Sequence, residues 1–162
     1  MRTGIELLVV FKYMIKEEII IRKAEFSDIS KLEIIFLQTR RDTFYWENPD
    51  KFNLGDLKKH SEGETIFLAE NKDKKILGFI SVWEHDTPAF IHHFFVLPDY
   101  QRKGVGSMLI ESLFQWLNLP YRLKCLTRNE KAIAYYLKNE WYALEEGQSE
   151  EGDYLLLELA KR

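Results

Sequence analysis

Cysteine is almost missing from this chain of 162 residues, with Cys125 standing alone. One thiol excludes an intramolecular disulfide and any multi-cysteine metal site, and it suits a reducing compartment. Long apolar runs are missing too. The longest near the start, Ile5 to Phe11, is broken by Glu6 and is far shorter than the ~20 residues that span a bilayer. No small-residue cleavage site follows it, so the expectation is a cytoplasmic protein with no membrane partner. Low-complexity tracts and internal repeats are absent. An excess of positive charge is lacking as well: 23 Lys and Arg stand against 26 Asp and Glu, a net charge of −3. Such a chain offers a phosphate backbone no general attraction, which argues against nucleic acid as a partner. The block Glu84-His85-Asp86 with His92 and His93 lacks any H-E-x-x-H spacing, and no metal is expected.

What is present is an ordinary globular composition, 46% hydrophobic and 30% charged. A chain of this length is one domain's worth and buries about two-thirds of its unfolded surface. Residues 1–18 read as an N-terminal extension, the first 13 of them peripheral to the fold, and the domain occupies residues 19–162. Periodicity predicts a strand at Ile19–Arg22, a helix capped by Ser27 or Asp28 that reaches about Arg41, and a short helix over Leu54–His60. Between these helices lie three aromatics, Phe44, Tyr45 and Trp46. A hairpin, Thr65–Glu70 with Ile76–Glu84, leads to a central strand, Ala89–Leu97. Then come a helix over Val105–Leu117, a strand over Arg122–Thr127 and a helix over Lys131–Lys138 capped by Asn129. Closing strands at Trp141–Glu145 and Tyr154–Leu159 are joined by an acidic, flexible Glu146–Asp153. The fold class is α/β (α+β): one domain, with a central mixed, mostly antiparallel sheet of about seven strands flanked by about four helices. The apolar strand Tyr154–Leu157 makes a homodimer by strand pairing a candidate assembly.

One stretch organises the rest, Ile91 to Ile110. A β-branched and aromatic run ends at Pro98-Asp99, where proline can give no ladder hydrogen bond. Gln101-Arg102-Lys103-Gly104-Val105-Gly106 then opens a helix with Met108, Leu109, Leu113 and Phe114 on one side. Glycines at a helix N-terminus leave backbone N–H groups bare, and these groups with the dipole's positive end make a phosphate seat. The Walker spacing is absent, and the dinucleotide fingerprint G-x-G-x-x-G fails where Leu109 takes the third glycine.

The string from Val96-Leu97-Pro98 to Gly106 resembles the coenzyme loop of the GNAT superfamily of acetyl-CoA-dependent N-acyltransferases, and the resemblance covers about Ile19 to the C-terminus. It implies that the backbone amides of Gln101, Arg102, Lys103, Gly104, Val105, Gly106 and Ser107 hold the pyrophosphate of acetyl-CoA, the cosubstrate. It also implies that the strand Phe94-Phe95-Val96 splays from its neighbour, so that its free backbone groups pair with the pantetheine arm like a missing strand. Asn129 and Tyr136 match the family's Asn-x-x-Ala-x-x-Phe-Tyr helix. Two helical turns separate them, so they share a face. By the resemblance, Asn129 contacts the cofactor arm and Tyr136 is the general acid, a phenol of pKa about 10 donating to a thiolate of pKa about 8.5. The acceptor implied is a primary amine on a small molecule or a peptide, and the aromatics after the first helix would form part of its wall. A non-catalytic acyl-CoA-binding sensor is the alternative.

This sequence departs from the family in two places. Lys138-Asn139-Glu140-Trp141 replaces Lys-x-Gly-Phe, which suggests a different turn there, and Lys124 stands where some relatives carry a basic Glu. The base must therefore come from elsewhere. His92 occupies a position where some arylalkylamine-acetylating relatives carry a catalytic His, and strand alternation puts His92 and His93 on opposite faces. Glu84 and Asp86 are second choices. Cys125 reads as a buried, inert thiol, so direct transfer in a ternary complex is expected rather than a covalent route.

Overall fold

The computed structural model describes residues 18–162, so the expected extension, all but Glu18, lies outside the described residues. β1 (Ile19–Lys23) pairs antiparallel with β2 (Thr65–Asn71), β2 with β3 (Ile76–Trp83), and β3 with β4 (Ala89–Val96). β4 then runs parallel to β5 (Tyr121–Leu126), the one parallel junction of the sheet. β7 (Gly152–Leu159) lies between β5 and the edge strand β6 (Tyr142–Ser149), giving the order β1-β2-β3-β4-β5-β7-β6. Seven strands and four helices match the architecture expected from the sequence.

Helices cover both faces, which is why β2 and β3 read as continuous apolar runs rather than alternating ones. α1 (Ile29–Thr43) and α2 (Asp56–His60) bury Leu32, Ile35, Phe36 and Leu57 against Ile66, Leu68 and Phe79. α3 (Val105–Leu113) and α4 (Glu130–Lys138) pack Val105, Leu109, Leu113 and Tyr136 on the other face, against Phe67, Leu77 and Ile80. α3 ends earlier than its pattern predicts. Phe114, Gln115 and Trp116 donate to the third residue back rather than the fourth, so the helix tightens as it approaches Pro120.

Three expectations need correction. The acidic link Glu146–Asp153 is mostly strand: Gly147 pairs with Tyr154, Gln148 with Asp153 and Ser149 with Gly152. Because β7 has neighbours on both edges, it cannot pair across a dimer, and the free edge at this end belongs to β6. Nor does Glu140 make a different turn. It takes φ 68°, the left-handed conformation glycine would adopt, while Trp141 N–H donates to Tyr136 O at 3.1 Å, so the helix closes with the usual six-to-one bond. Trp141 is buried there as the core aromatic.

Arg22 fastens α1 to the sheet. Its guanidinium bonds both Asp28 oxygens, at 2.8 and 3.0 Å, and Glu70 Oε2 at 3.0 Å. Asp28 therefore spends its carboxylate on Arg22 and on the Glu25 N–H rather than on capping α1. Its bond with Arg22 pulls its pKa down from 3.8 to about 2 against the opposing effect of burial, and the same guanidinium lowers Glu70. A depressed carboxylate stabilises the fold fully above its ordinary pKa, and that stabilisation is lost as pH falls through the folded value. Arg22→Ala strands two carboxylates and is expected to cost about 2–3 kcal/mol at neutral pH, somewhat less than a fully buried pair because the guanidinium is partly exposed. Urea unfolding at pH 7 and at pH 2.5 checks this: the penalty at pH 7 should shrink at pH 2.5.

Candidate active site

The pairing between β4 and β5 stops early. Ala89, Phe90 and Ile91 pair with Tyr121, Arg122 and Leu123, and from His92 onward the strands part. Leu97 N–H donates to Leu77 O at 2.8 Å. Alternation along an antiparallel ladder then spends the backbone groups of Phe95 on β3 and turns those of Phe94 and Val96 into the gap. So the splay is present, and within the run Phe94-Phe95-Val96 the middle residue offers the gap no backbone group. Gln101 Nε2 donates to Val96 O at 3.0 Å, tying the start of the loop to the end of β4.

A single turn, Pro98–Tyr100, leads into the loop. Arg102 takes φ 60° and Gly104 takes φ 84°. The glycine meets this left-handed requirement without strain, and nothing lies within 4 Å of where its Cβ would be. Gly104 O accepts from Met108 N at 3.0 Å. The N–H groups of Val105, Gly106 and Ser107 precede the first intrahelical bond and stay bare, as an anion seat requires. Arg102 and Lys103 stand exposed beside them. Ser107 Oγ and the Tyr135 hydroxyl share a hydrogen bond of 3.2 Å, which links α3 to α4.

Asn129 caps α4, its Oδ1 accepting from Ala132 N at 3.3 Å. Two turns on, Tyr136 is buried among Phe94, Tyr135 and Trp141, with ring centroids 6.3, 5.5 and 5.4 Å away. Its hydroxyl makes no hydrogen bond among the described residues. Burial, and then Cys125 and Tyr135, push its pKa well above the ordinary phenol value. Cys125 is buried likewise, and its thiol is pushed up to about 12, matching an inert role. Asn129, Tyr136, Cys125, His92 and Phe94 all line one cavity of about 530 Å³ that runs through the splay.

The histidines break the expected alternation. Ser81 pairs with His93 and Val82 with Ile91, which leaves His92 as the extra residue of a β-bulge. Ile91 and Phe94 consequently pack on the same core, under α3 and α4. His93 turns to the other face, against Phe36 at 4.8 Å and stacked on His60 at 6.3 Å. His92 Nδ1 reaches a carboxylate that no motif singles out: Glu64, whose other oxygen accepts from Ser81 Oγ. The second-choice bases are occupied elsewhere. Glu84 accepts from Thr65 Oγ1 at 3.1 Å and Asp86 from Trp83 Nε1 at 2.8 Å, and neither lines the cavity.

The rest of the cavity wall is aromatic and paired. Phe44, Phe52 and Phe95 line it, while Tyr45 points outward and is 79% exposed. Arg40 is bound to Asp56 at 2.6 Å and Lys51 to Glu47 at 3.3 Å. Glu150 and Glu151, at the tip of the β6–β7 hairpin, stand on the rim.

A sheet opened at its parallel junction, with a helix start of bare N–H groups on one side and a phenol at the opening, is the arrangement of an acyltransferase-type fold. The sequence model of the Acetyltransferase (GNAT) family matches residues 30–141, and the chain belongs to that family. Solved structures agree on the fold. The PaiA N-acetyltransferase from Thermoplasma acidophilum in complex with coenzyme A is 18% identical, with a TM-score of 0.72 over 89% of this chain and 99% of that one. The spermidine N-acetyltransferase from Vibrio cholerae in complex with CoA and spermine is 19% identical, with a TM-score of 0.68 over 90% and 96% of the two chains. No curated protein sequence matches.

Burial lowers the His93 pKa from 6.5 to about 4, although Glu64 opposes the shift. At neutral pH the ring is uncharged, which keeps this wall apolar. Its contribution to stability is complete above 6.5 and is lost as pH falls through about 4, because the unfolded chain takes up the proton first. Between those values the wild type is expected to lose about 1–3 kcal/mol that His93→Gln does not lose. Thermal unfolding of both proteins at pH 7.5, 5.5 and 4 measures the difference.

Proposed function

We propose that this protein transfers the acetyl group of acetyl-CoA to a primary amine by direct attack in a ternary complex. The carrying observation is the gap between β4 and β5, bounded by the bare amides of Val105, Gly106 and Ser107 and opening on Tyr136. The pyrophosphate of the thioester substrate would lie on the loop from Gln101 to Ser107, with Arg102 and Lys103 adding charge. Its extended arm would take the place of the missing strand, bonded to the backbone of Phe94 and Val96 and passing Asn129. Charge-assisted bonds of about 1.5–3 kcal/mol each, less the costs of association, suffice for micromolar affinity.

His92 would take the proton of the amine, whose freed electron pair attacks the thioester carbonyl. As the C–S bond breaks, the Tyr136 hydroxyl would protonate the departing thiolate. Its raised pKa keeps the hydroxyl protonated at neutral pH but makes it a weaker donor than a free phenol, so transfer to a thiolate of pKa about 8.5 runs uphill and depends on the collapse of the tetrahedral intermediate to drive it. An alkylammonium of pKa about 10.4 costs roughly 4–5 kcal/mol to deprotonate at pH 7, so an acceptor for its proton is worth having. The similar structures, one in complex with CoA and one with CoA and spermine, support a coenzyme A thioester and an amine as the two substrates.

Isothermal titration with acetyl-CoA is the first test. Micromolar binding is expected, weakened about 30-fold or more in Gly104→Glu, whose side chain enters open space and sets a carboxylate beside the seat. An absence of binding to the wild type would overturn the proposal. In a panel of spermidine, phenethylamine and a lysine peptide, turnover of at least one amine is expected, with Tyr136→Phe lowering kcat about 10²-fold at unchanged acetyl-CoA affinity. Tight binding without any turnover would mean an acyl-CoA sensor instead.

A further inference from the structure

Most buried carboxylates among the described residues have a permanent partner. Asp28 and Glu70 meet Arg22, and Glu158 meets Arg122. Glu33 takes the backbone N–H groups of Gly55, Leu57 and Lys58. Glu64 differs. Its side chain is only 2% exposed, yet its partners are the Ser81 hydroxyl and the His92 imidazole, and neither carries a fixed charge. Burial works to raise its pKa, but the bonds from His92 and Ser81 outweigh it and hold the carboxyl below its ordinary value. The site thus contains a buried anion whose full compensation arrives only when a neighbouring imidazole is protonated.

The backbone at Glu64 is held from both sides. Gly63 takes φ 79°, and a Cβ there would meet the Trp83 ring at 3.0 Å. His85 Nε2 donates to Gly63 O at 2.9 Å, and Thr65 is tied to Glu84. The block Trp83-Glu84-His85 therefore serves to fix this turn. On the other side, the bulge at His92 lets its ring reach Glu64 while still lining the cavity.

We infer that Glu64 is the positioning residue of His92: it receives Nδ1–H, leaves Nε2 as the acceptor facing the cleft, and stabilises the imidazolium formed when Nε2 takes the amine proton. In that step an N–H bond of the amine breaks and an Nε2–H bond forms. The electron pair stays on the amine nitrogen, and Glu64 remains ionised throughout. This role rests on the proposed reaction with His92 as base, but the state of the ring can be read without any reaction.

Nitrogen-15 NMR of the imidazoles in the free protein, with His92→Ala for assignment, reads the tautomer. The neutral His92 ring is expected to carry its proton on Nδ1 in the wild type and to move toward the Nε2–H form in Glu64→Ala. A wild-type ring with its proton on Nε2 overturns the inference, whatever the enzyme does with amines. On whichever panel amine turns over, Glu64→Ala should lower kcat about 10–100-fold, with the amine KM within about threefold and acetyl-CoA affinity unchanged. Glu64→Gln keeps the shape and loses the charge. It should retain the fold by melting temperature yet lower kcat about 10-fold, whereas wild-type kcat in this variant would leave Glu64 a merely structural role. In a His92→Ala background, adding Glu64→Ala should change kcat less than about twofold, and multiplicative losses would mean that the carboxylate acts by another route.

Discussion

Two parallel strands that part after three residue pairs govern everything else in this structure. A sheet ordinarily satisfies every backbone donor and acceptor in its interior, and leaving some unpaired at a buried edge is costly. Here the opening is fixed rather than accidental. Gln101 reaches back to Val96, a bulge bends β4 at His92, and Asn129 starts a helix just where β5 ends. Each device lies within a few residues of the gap, and together they prevent the simpler outcome of continued pairing. An extended ligand with its own amides is the natural occupant of such an edge, since it replaces hydrogen bonds the sheet has forgone.

The cations are divided between two duties. Those of the interior are bound: Arg22 holds the start of α1 to the sheet, Arg40 holds α1 to α2, and Arg122 holds β5 to β7, each through carboxylates. Those at the loop, Arg102 and Lys103, face solvent and remain available to an incoming anion. A chain of net negative charge can thus present a basic entrance, because the acidic excess is spread over other surfaces and screened within about a Debye length.

The sequence revealed what is written contiguously. The turn from Pro98 to Gly106 that opens α3, and the pair Asn129 and Tyr136 two turns apart on α4, were legible because a helix start and a helix face each need residues at fixed local spacing. Most helices and strands were legible from apolar periodicity, to within a few residues at their ends. β6 was missed beyond Glu145 because an exposed edge strand has no buried face, so Glu146 to Ser149 carry no alternation to read. Glu64 was missed for a different reason. Ser-Glu-Gly-Glu-Thr reads as a polar turn, and its significance comes from register: the carboxylate meets His92, 28 positions away, only after three strands have aligned and one has bulged. Glu84 and Asp86 were nearer to the histidines in sequence, yet the fold spends them on the turn and the strand end.

Every residue of β6 except Gly147 is exposed, so this strand is held to the protein by its ladder with β7 and by little apolar burial. Segments of that kind open subglobally at a fraction of the free energy of full unfolding, and their amides exchange with solvent first. The hairpin tip bearing Glu150 and Glu151 is carried on this strand. The acidic rim of the cavity therefore sits on an exposed, ladder-held strand while the floor is built from buried ones, so the rim can loosen without disturbing the strands beneath it.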